Sequence, residues 1–390
     1  MTGRDGTPAH HLARRVTRRV HVALGCVLLA ACTAGPASSV QGGPSSTDPA
    51  AAGRTATVRT TATPSPTATP ATDPAGPPAP DGTLTLAFAG DVHFAGRLAP
   101  LLDHPTDALA ELRPFLATAD LAMVNLETAI TTRGTEQPKK FHFRAPATAL
   151  DALAGAGVDV VSMANNHAID YGEHGFADTL AARADGPLPI VGIGRDRADA
   201  LAPAVLQAEG LRVAFLGATQ VPDWTLATWT AGANRPGVAS ASSPDRLAAA
   251  VRKARTRADV VVVYLHWGTD YTPCPNALQV RTAKALAQAG ADVVVGTHAH
   301  QLQGAGWLGS TYVDYGLGNF VWWRRNSDVE SRTGVLTLTL RGRRVVDARW
   351  TPMRVSADGI PRVPGSRERA TLAGQWLEGQ RCTNLADEPG

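Results

Sequence analysis

The sequence predicts an α/β fold whose sheets are covered by other layers on both faces. Five runs of strand length consist almost entirely of aliphatic and β-branched residues, at positions 84–89, 121–124, 158–163, 260–265 and 293–295. Near-continuous apolar strands are typical of sheets buried on both sides, because a half-exposed strand alternates apolar and polar residues. Helical stretches lie among these runs, at positions 147–156, 176–184, 244–257 and 277–289. Strands that alternate with helices favour the α/β class.

Short polar signatures follow the apolar runs. They are GDVH at 90–93, NLE at 125–127, NNH at 165–167, HWG at 266–268, THAH at 297–300 and GLGN at 316–319. In open α/β sheets, ligands bind outside the carboxyl ends of the strands, which is where these signatures stand. Their Asp, Glu, Asn and His side chains are suited to holding two cations a few ångströms apart. Because cysteine does not occur in the set, we predict a catalytic pair of divalent ions (Mn, Fe, Zn or Mg) and not a structural zinc site.

The first two signatures each have an ordinary alternative. Asp91 and His93 are separated by one residue, but an Asp at this place can also cap the turn that follows a strand. Glu127 follows the second strand and would otherwise be a plain strand-end carboxylate. Taken alone, neither signature establishes a metal site.

The third signature is more informative, because two consecutive amides after a buried strand are poorly explained by packing. One amide oxygen of Asn165 or Asn166 would ligate a metal ion. An imidazole that titrates near neutrality suits the adjacent His167 to donating a proton to a leaving group. The alternative is a turn rich in asparagine.

Three further histidines end the later strands. His266 follows the run VVVVYL, where a satisfied core histidine is the usual explanation. His298 and His300 are two residues apart, so their side chains share a face of an extended segment, although a solvated loop has the same spacing. These alternatives would all have to coincide at the same end of successive strands, so we interpret the six signatures as one site.

The order of the motifs resembles a known family. LAFAGDVHFAGR, MVNLETAIT, SMANNHAIDYGEHGF, VVVYLHWGTDYTP, VVVGTHAHQLQG and YGLGNFVW resemble the bacterial capsule-synthesis protein CapA family, the poly-γ-glutamate capsule group of the calcineurin-like metallophosphatase superfamily. The resemblance covers about residues 82–356. It implies a four-layer α/β/β/α sandwich with two mostly buried sheets and a site in a groove at the strand ends.

The resemblance also implies a role for each site residue. The implied metal ligands are, in chain order, Asp91, His93, Glu127, Asn166, His266, His298 and His300. Glu127 would bridge the two ions and His167 would act as the acid, while Asn125, Asn165 and Asn319 would hold the ligands by hydrogen bonds. Two positions depart from the usual pattern: the superfamily has an Asp where this chain has Glu127, and many family members lack a histidine equivalent to His93. His93 is therefore either a retained ligand or incidental.

Residues 1–31 have the features of an export signal. Arginines at positions 14, 15, 18 and 19 precede an apolar run at 20–31, which is shorter than the about 20 residues that a membrane-spanning helix needs. The run ends in LAAC, which resembles the lipobox of bacterial lipoproteins, so we expect Cys32 to be lipidated and the protein to be anchored outside the cytoplasm. An ordinary cleaved signal with an incidental cysteine is the alternative. The general and twin-arginine export routes both stay open.

Residues 32–81 are dominated by Ala, Pro, Thr, Ser and Gly, which predicts a disordered tether that cannot bury a core. Removal of residues 1–31 leaves 37 − 5 = 32 Lys plus Arg and 34 − 1 = 33 Asp plus Glu, a formal net charge of about −1. This balance gives no support to nucleic-acid binding.

Residues 82–356 are long enough for one two-sheet domain, and we expect residues 357–390 to pack on it as a C-terminal extension. Of the four cysteines, Cys26 belongs to the signal and Cys32 to the lipid anchor. In an exported chain the remaining pair, Cys274 and Cys382, most simply forms a disulfide, with two free thiols as the alternative.

Substrate choice has the weakest signal in the sequence. Lys140, Arg144 and Arg324 are candidates to line a groove for an anionic polymer or a phosphoester, although such clusters are more often solvated loop faces. Two functions stay open: a surface-anchored metallohydrolase acting on a phosphoester or amide bond in a capsule or poly-γ-glutamate type polymer, and a non-catalytic module that binds or exports a polyanion beside a capsule synthase. The complete ligand set together with His167 favours the hydrolase.

Overall fold

The computed structural model describes residues 83–323 and 327–390. The predictions for the signal at 1–31, the tether at 32–81, the lipidated Cys32 and the groove residue Arg324 lie outside these residues. None of the helices within the two ranges is long and apolar enough to cross a membrane.

The described part contains short and long strands, joined by helices. The strands are β1 Thr83–Val92, β2 Leu121–Leu126, β3 Ala129–Ile130, β4 Arg144–Ala145, β5 Val160–Ser162, β6 Ile190–Val191, β7 Ile193–Gly194, β8 Ala204–Ala208, β9 Leu211–Thr219, β10 Gly237–Val238, β11 Val260–Trp267, β12 Val293–His298, β13 Ala305–Leu308, β14 Thr311–Asp314, β15 Asn319–Val321, β16 Arg332–Arg341, β17 Arg344–Val355 and β18 Pro361–Arg362. The α-helices are α1 Arg113–Leu116, α2 Thr148–Gly155, α3 Gly172–Asp185, α4 Arg197–Ala200, α5 Trp224–Trp229, α6 Pro244–Arg255, α7 Ala277–Ala289 and α8 Ser366–Gly379. Short 3-10 helices occupy Gly96–Asp103, Ala110–Leu112, Val329–Ser331 and Gln380–Cys382.

Two large sheets contain most of these strands. The first has the order β18-β17-β16-β1-β2-β5-β6, with β15 also paired to β1. Its β1, β2, β5 and β6 run parallel, and β16 and β17 add an antiparallel hairpin. The second sheet has the order β13-β14-β12-β11-β9-β8, and its four inner strands are parallel.

Apolar side chains on opposite faces of the strands create the layers. Leu84, Leu86 and Phe88 of β1 pack into a core that also receives Val262 and Tyr264 of β11, so this core lies between the two sheets. The outer face of the first sheet packs against α2 and α3, and the outer face of the second packs against α6 and α7. Three buried layers of side chains therefore separate four layers of secondary structure, and the predicted α/β/β/α sandwich is confirmed.

The predicted strands and helices are present, with shifted ends. β1 and β2 each extend past the predicted apolar run, so Asp91 and Asn125 lie inside strands and not after them. The sequence prediction did not include β9, where Arg212 and Gly217 interrupt the apolar pattern. It also did not include the β16–β17 hairpin, whose polar and apolar residues alternate because parts of it are exposed.

The C-terminal segment packs on the sheets. Helix α8 contacts β17, where the Trp376 ring stacks on Trp350 with centroids 5.5 Å apart. Cys274 and Cys382 form a disulfide with Cα atoms 5.7 Å apart. The bond joins the end of the chain to the loop that follows β11.

Candidate metal centre

The predicted site residues meet at the carboxyl ends of strands from both sheets. Asp91 near the end of β1 pairs in register with Asn125 of β2. His266 lies near the end of β11, and His298 ends β12. Although Asp91 and His266 belong to different sheets, Oδ1 of the first lies 3.7 Å from Nδ1 of the second. The sandwich therefore brings polar residues far apart in sequence into one buried cluster.

Glu127 lies at the centre of this cluster. It is 0% exposed, and neither of its carboxylate oxygens has a hydrogen-bond partner among the described residues. Two groups of candidate ligand atoms, each with all atoms within 4.8 Å of one another, share this residue. The first group adds His298 and His300 to Glu127, and the second adds Asp91 and His266.

The surroundings of Glu127 fit divalent cations. A buried carboxylate without hydrogen bonds is costly unless a cation compensates its charge. Membership of both ligand groups matches the bridging role that the resemblance implies, so the longer arm of Glu does not keep the carboxylate from either group. Carboxylates and imidazoles together are the ligands that Mn, Fe and Zn accept, and oxygen donors also suit Mg.

His266 and Asn166 form one side of the cluster. Nε2 of His266 lies 2.8 Å from Oδ1 of Asn166 and 3.5 Å from Oε1 of Glu127. Adjacent ligands of one octahedral ion with bonds of about 2.1 Å lie about 3 Å apart, so these separations fit shared coordination. Burial lowers the pKa of His266 to about 3, which keeps its ring neutral and able to ligate. Nδ1 lies 3.1 Å from the Thr297 hydroxyl and 3.2 Å from Asn125 Nδ2, and in the tautomer that donates from Nδ1 to Thr297, Nε2 is bare.

A chain of amides holds the carboxylate of Asp91. Nδ2 of Asn125 donates to Asp91 Oδ1 at 2.8 Å, and Asn165 Nδ2 donates to Asn125 Oδ1 at 3.1 Å. Asn165 in turn accepts from the backbone N–H of His167. Burial, reinforced by the charge of Glu127, raises the pKa of Asp91. The structure thus places Asn125 and Asn165 where hydrogen bonds orient the predicted ligands.

His298 and His300 adopt backbone conformations that non-glycine residues rarely use. Their φ angles are +93° and +54°, and the His298 N–H donates to Asp91 Oδ2 at 3.1 Å. Asn319 Nδ2 donates to the Glu330 carbonyl, so its Oδ1 is left to accept from Nδ1 of His300 at 2.8 Å. That contact leaves Nε2 of His300 bare. Burial alone would lower the pKa of His300, but the nearby carboxylates of the cluster raise it.

His93 lies beside the cluster but in neither ligand group. Its Nδ1 accepts the backbone N–H of Ala95 at 3.0 Å, so Nε2 carries the ring proton. Nε2 is buried and lacks a hydrogen-bond partner among the residues described. Burial lowers the pKa of His93 well below its usual value. Ligation through Nε2 would require the contact with Ala95 to break and the proton to move, so the geometry does not place His93 with the other ligands.

The predicted acid, His167, is held by a carboxylate that the sequence prediction did not include. Its Nδ1 donates to Oδ2 of the fully buried Asp170 at 2.5 Å. Lys139 Nζ lies 2.7 Å from the other oxygen of Asp170 and also contacts the Asn166 carbonyl. Nε2 of His167 faces Glu127, with 3.7 Å between Nε2 and Oε1. This arrangement leaves Nε2 as the nitrogen that can exchange a proton with a bound molecule.

A small cavity of about 110 Å³ opens beside the histidines. Its aromatic lining consists of Phe141, Phe143, Tyr271, Trp322 and Trp323. The Phe143 ring stacks between His93 and His167, with centroid distances of 4.4 and 4.1 Å. Aromatic walls of this kind limit the access of water to the polar cluster.

Comparison with known proteins identifies the family of this chain. The sequence profile of the family described as "Bacterial capsule synthesis protein PGA_cap" matches residues 85–322. The chain belongs to this family. The matched part of this PGA_cap chain begins in β1 and ends directly after β15, so it contains every strand end that contributes to the cluster.

Two relatives of this PGA_cap chain come from Bacillus. The protein named "PGA biosynthesis protein CapA" of Bacillus subtilis (strain 168) is 33% identical over 256 residues, which are 64% of this chain and 66% of the relative. "Capsule biosynthesis protein CapA" of Bacillus anthracis is 33% identical over 258 residues, 63% of this chain and 62% of the relative. The chain thus spans slightly less than two thirds of the length of these relatives.

A solved structure, described as a novel phosphatase from Mycoplasma pneumoniae, is 14% identical to the chain. The superposition covers 70% of this chain and 94% of that one, with a TM-score of 0.45.

Two of the basic residues predicted to line a substrate groove do not line the cavity beside the cluster. Neither Lys140 nor Arg144 is among the residues that line the cavity. Lys140 lies over the Phe141 ring at 5.1 Å, and the Arg144 guanidinium lies 4.5 Å from the centroid of the Tyr171 ring. Both basic groups lie over aromatic rings, and Phe141 itself lines the cavity, so a groove role for Lys140 and Arg144 stays a prediction.

Proposed function

We propose that this chain is a metal-dependent hydrolase that cleaves a phosphoester or amide bond in an anionic envelope polymer of the poly-γ-glutamate type, or in its precursor. The observation that carries the proposal is Glu127, a buried carboxylate with neither oxygen hydrogen-bonded, which is shared by two groups of ligand atoms. Membership of the PGA_cap family, and relatives named for capsule and PGA biosynthesis, support the choice of polymer.

Residues of the cluster would hold two divalent ions. Glu127, which belongs to both groups of ligand atoms, would bind both ions, and the other ligands would come from Asp91, Asn166, His266, His298 and His300. When bound, such ions activate water and neutralise negative charge that develops as a bond breaks. The remaining chemistry then falls to the side chains that move protons and exclude water.

His167 would donate the proton that the leaving group requires. Its Nε2 lies 3.7 Å from Oε1 of Glu127, its side chain lines the cavity, and its Nδ1 is held by Asp170. A carboxylate on Nδ1 fixes the ring and stabilises the protonated imidazole, so proton delivery through Nε2 is favoured. Lys139, buried against the same carboxylate, keeps Asp170 in place. A module that only binds a polyanion has no need of this arrangement, which favours the hydrolase.

The test combines metal content with turnover. The purified chain, loaded with Mn²⁺ or Zn²⁺, is analysed by mass spectrometry, and hydrolysis of an aryl phosphodiester and of poly-γ-glutamate is followed before and after chelation. We expect about two ions per chain and activity that the chelator removes. His300→Ala should abolish turnover, whereas His104→Ala, at an exposed histidine outside the cluster, should not. Two bound ions without turnover on either substrate would favour the alternative function, a polyanion-binding module that assists a capsule synthase.

Attachment to the outer face of the cell membrane completes the proposal. It is supported by the apolar run at 20–31 and by the LAAC sequence that ends at Cys32. Metabolic labelling with a fatty acid should mark the wild-type chain and fail to mark Cys32→Ser. Equal labelling of both would contradict lipidation at this residue.

A further inference from the structure

The loop after β11 contributes a carboxylate to the site. Oδ1 of Asp270 lies 3.1 Å from Nε2 of His298. An ionised carboxylate can only accept, so Nε2 of His298 carries the ring proton and donates it to Asp270. A neutral imidazole holds one proton, and Nδ1 of His298 is therefore left with a free lone pair.

That lone pair is buried in the cluster. Nδ1 of His298 lacks a hydrogen-bond partner in the part of the chain that the structure describes. The same residue forms a ligand group with Glu127 and His300, all within 4.8 Å. A bare imidazole nitrogen close to an unpartnered carboxylate is the arrangement that a cation between them would satisfy. Nε2 of the ring thus faces Asp270, and Nδ1 is the nitrogen left for a cation.

We propose that Asp270 is a positioning residue for His298. Its carboxylate holds the ring by Nε2, so that Nδ1 presents its lone pair to the cation at Glu127. The proposal rests on the metal-dependent function above, because it concerns a ligand of the same site. Hydrogen-bonded carboxylates behind a metal-binding histidine fix the ring orientation and raise the basicity of the other nitrogen.

Hydrogen bonds and the disulfide fix the position of the loop that carries Asp270. The backbone N–H of Tyr271 donates to the Ala299 carbonyl at 2.8 Å, beside His298. Gln303 Nε2 donates to the Thr272 carbonyl at 2.8 Å, and the disulfide holds the loop at Cys274. Because the Asp270 side chain is 53% exposed, water competes for its carboxylate, and a fixed loop offsets that competition.

The first experiment measures affinity for Zn²⁺ and Mn²⁺ by competition with a chromophoric chelator. We expect Asp270→Ala to weaken the binding of one of the two ions by about 10–100-fold. Asp270→Asn should lose less affinity, because the amide oxygen can still accept the hydrogen bond from Nε2. Asp103→Asn, a change of another exposed aspartate outside the cluster, is the matched control and should bind as the wild type does.

The second experiment uses the metal-free protein, so it is independent of turnover. Long-range proton–nitrogen NMR of histidine side chains should find the His298 proton on Nε2 and Nδ1 bare.

A His298 proton on Nδ1 would overturn the proposal, as would Asp270→Ala affinities within about twofold of the Asp103→Asn control. A chain that binds no ion would overturn it together with the proposed function. Bound ions without turnover would overturn only the proposed hydrolase activity, and an intact Asp270 effect on affinity would then still support the positioning role.

Discussion

Replacement of Glu127 by Gln should change stability in opposite directions with and without metal. The carboxylate is fully buried and has no hydrogen bond to either oxygen. Without a cation, burial of an unpaired charge costs several kcal/mol, whereas an unsatisfied neutral amide costs about 1–3 kcal/mol. We therefore expect Glu127→Gln to be about 1 kcal/mol or more stabler than the wild type in the presence of a chelator.

The order of stability of the two proteins should reverse when metal is added. An ion that binds only the folded state stabilises it by about 2.7 kcal/mol at a free concentration 100 times its dissociation constant. Because Glu127 belongs to both ligand groups, its loss weakens both ions, and the variant should gain little of this stabilisation. The wild type should then be the stabler of the two proteins.

Urea unfolding followed by fluorescence measures both halves of this prediction. Each protein is unfolded in chelator and in excess Mn²⁺ at constant pH. Glu330→Gln is the matched control, since Glu330 is also buried beside the cavity but contacts Ser327 and belongs to neither ligand group. If metal stabilises Glu127→Gln as much as the wild type, Glu127 does not bind the ions.

Three further predictions follow from the same structure. His167→Asn should retain its ions but lose about 10²–10⁴-fold in kcat, measured beside metal content, because it removes only the proton donor. Burial raises the pKa of Asp314 to about 8, so its contribution to stability is complete below its unfolded pKa near 4 and is lost as pH rises to 8. The unfolding free energy of Asp314→Asn relative to wild type should thus increase by up to about 1.4 kcal/mol per pH unit from pH 5 to 8 in urea titrations. Cys274→Ser combined with Cys382→Ser should cost about 2–4 kcal/mol in the same assay, and an unchanged midpoint would contradict a stabilising bond.

The strand ends and most of the cluster could be predicted from sequence because topology determines them. Parallel strands place their carboxyl ends at one edge, so Asp91 and Glu127 are neighbours at the edge of the first sheet, and the packing of the second sheet on the first adds His266. The four layers could be predicted because near-continuous apolar strands are typical of sheets covered on both faces. In contrast, β9 contains a charged residue at an exposed position, which hides a strand from a search for unbroken apolar runs.

The partners of the ligands could not be predicted, since they depend on how loops fold. Asp170 follows His167 by three residues, a spacing that has many uses, and only the turn after β5 brings the two together. Asp270 meets His298 because two loops from neighbouring strands approach each other. The hydrogen bond that orients Nδ1 of His93 is likewise a local feature of the backbone, and no residue pattern signals it.

The Phe143 ring between His93 and His167 has a consequence for how protons travel through the site. The Phe143 ring fills the space between the two imidazoles, so no hydrogen bond can pass a proton directly from one imidazole to the other. If His167 acts as the proposed acid, its proton would stay on the side of Asp170 and the cavity, separated from His93 by the Phe143 ring. A polar side chain at position 143 could pass a proton between His93 and His167. The aromatic ring instead would keep an exchangeable proton of His167 on the face where a substrate would arrive.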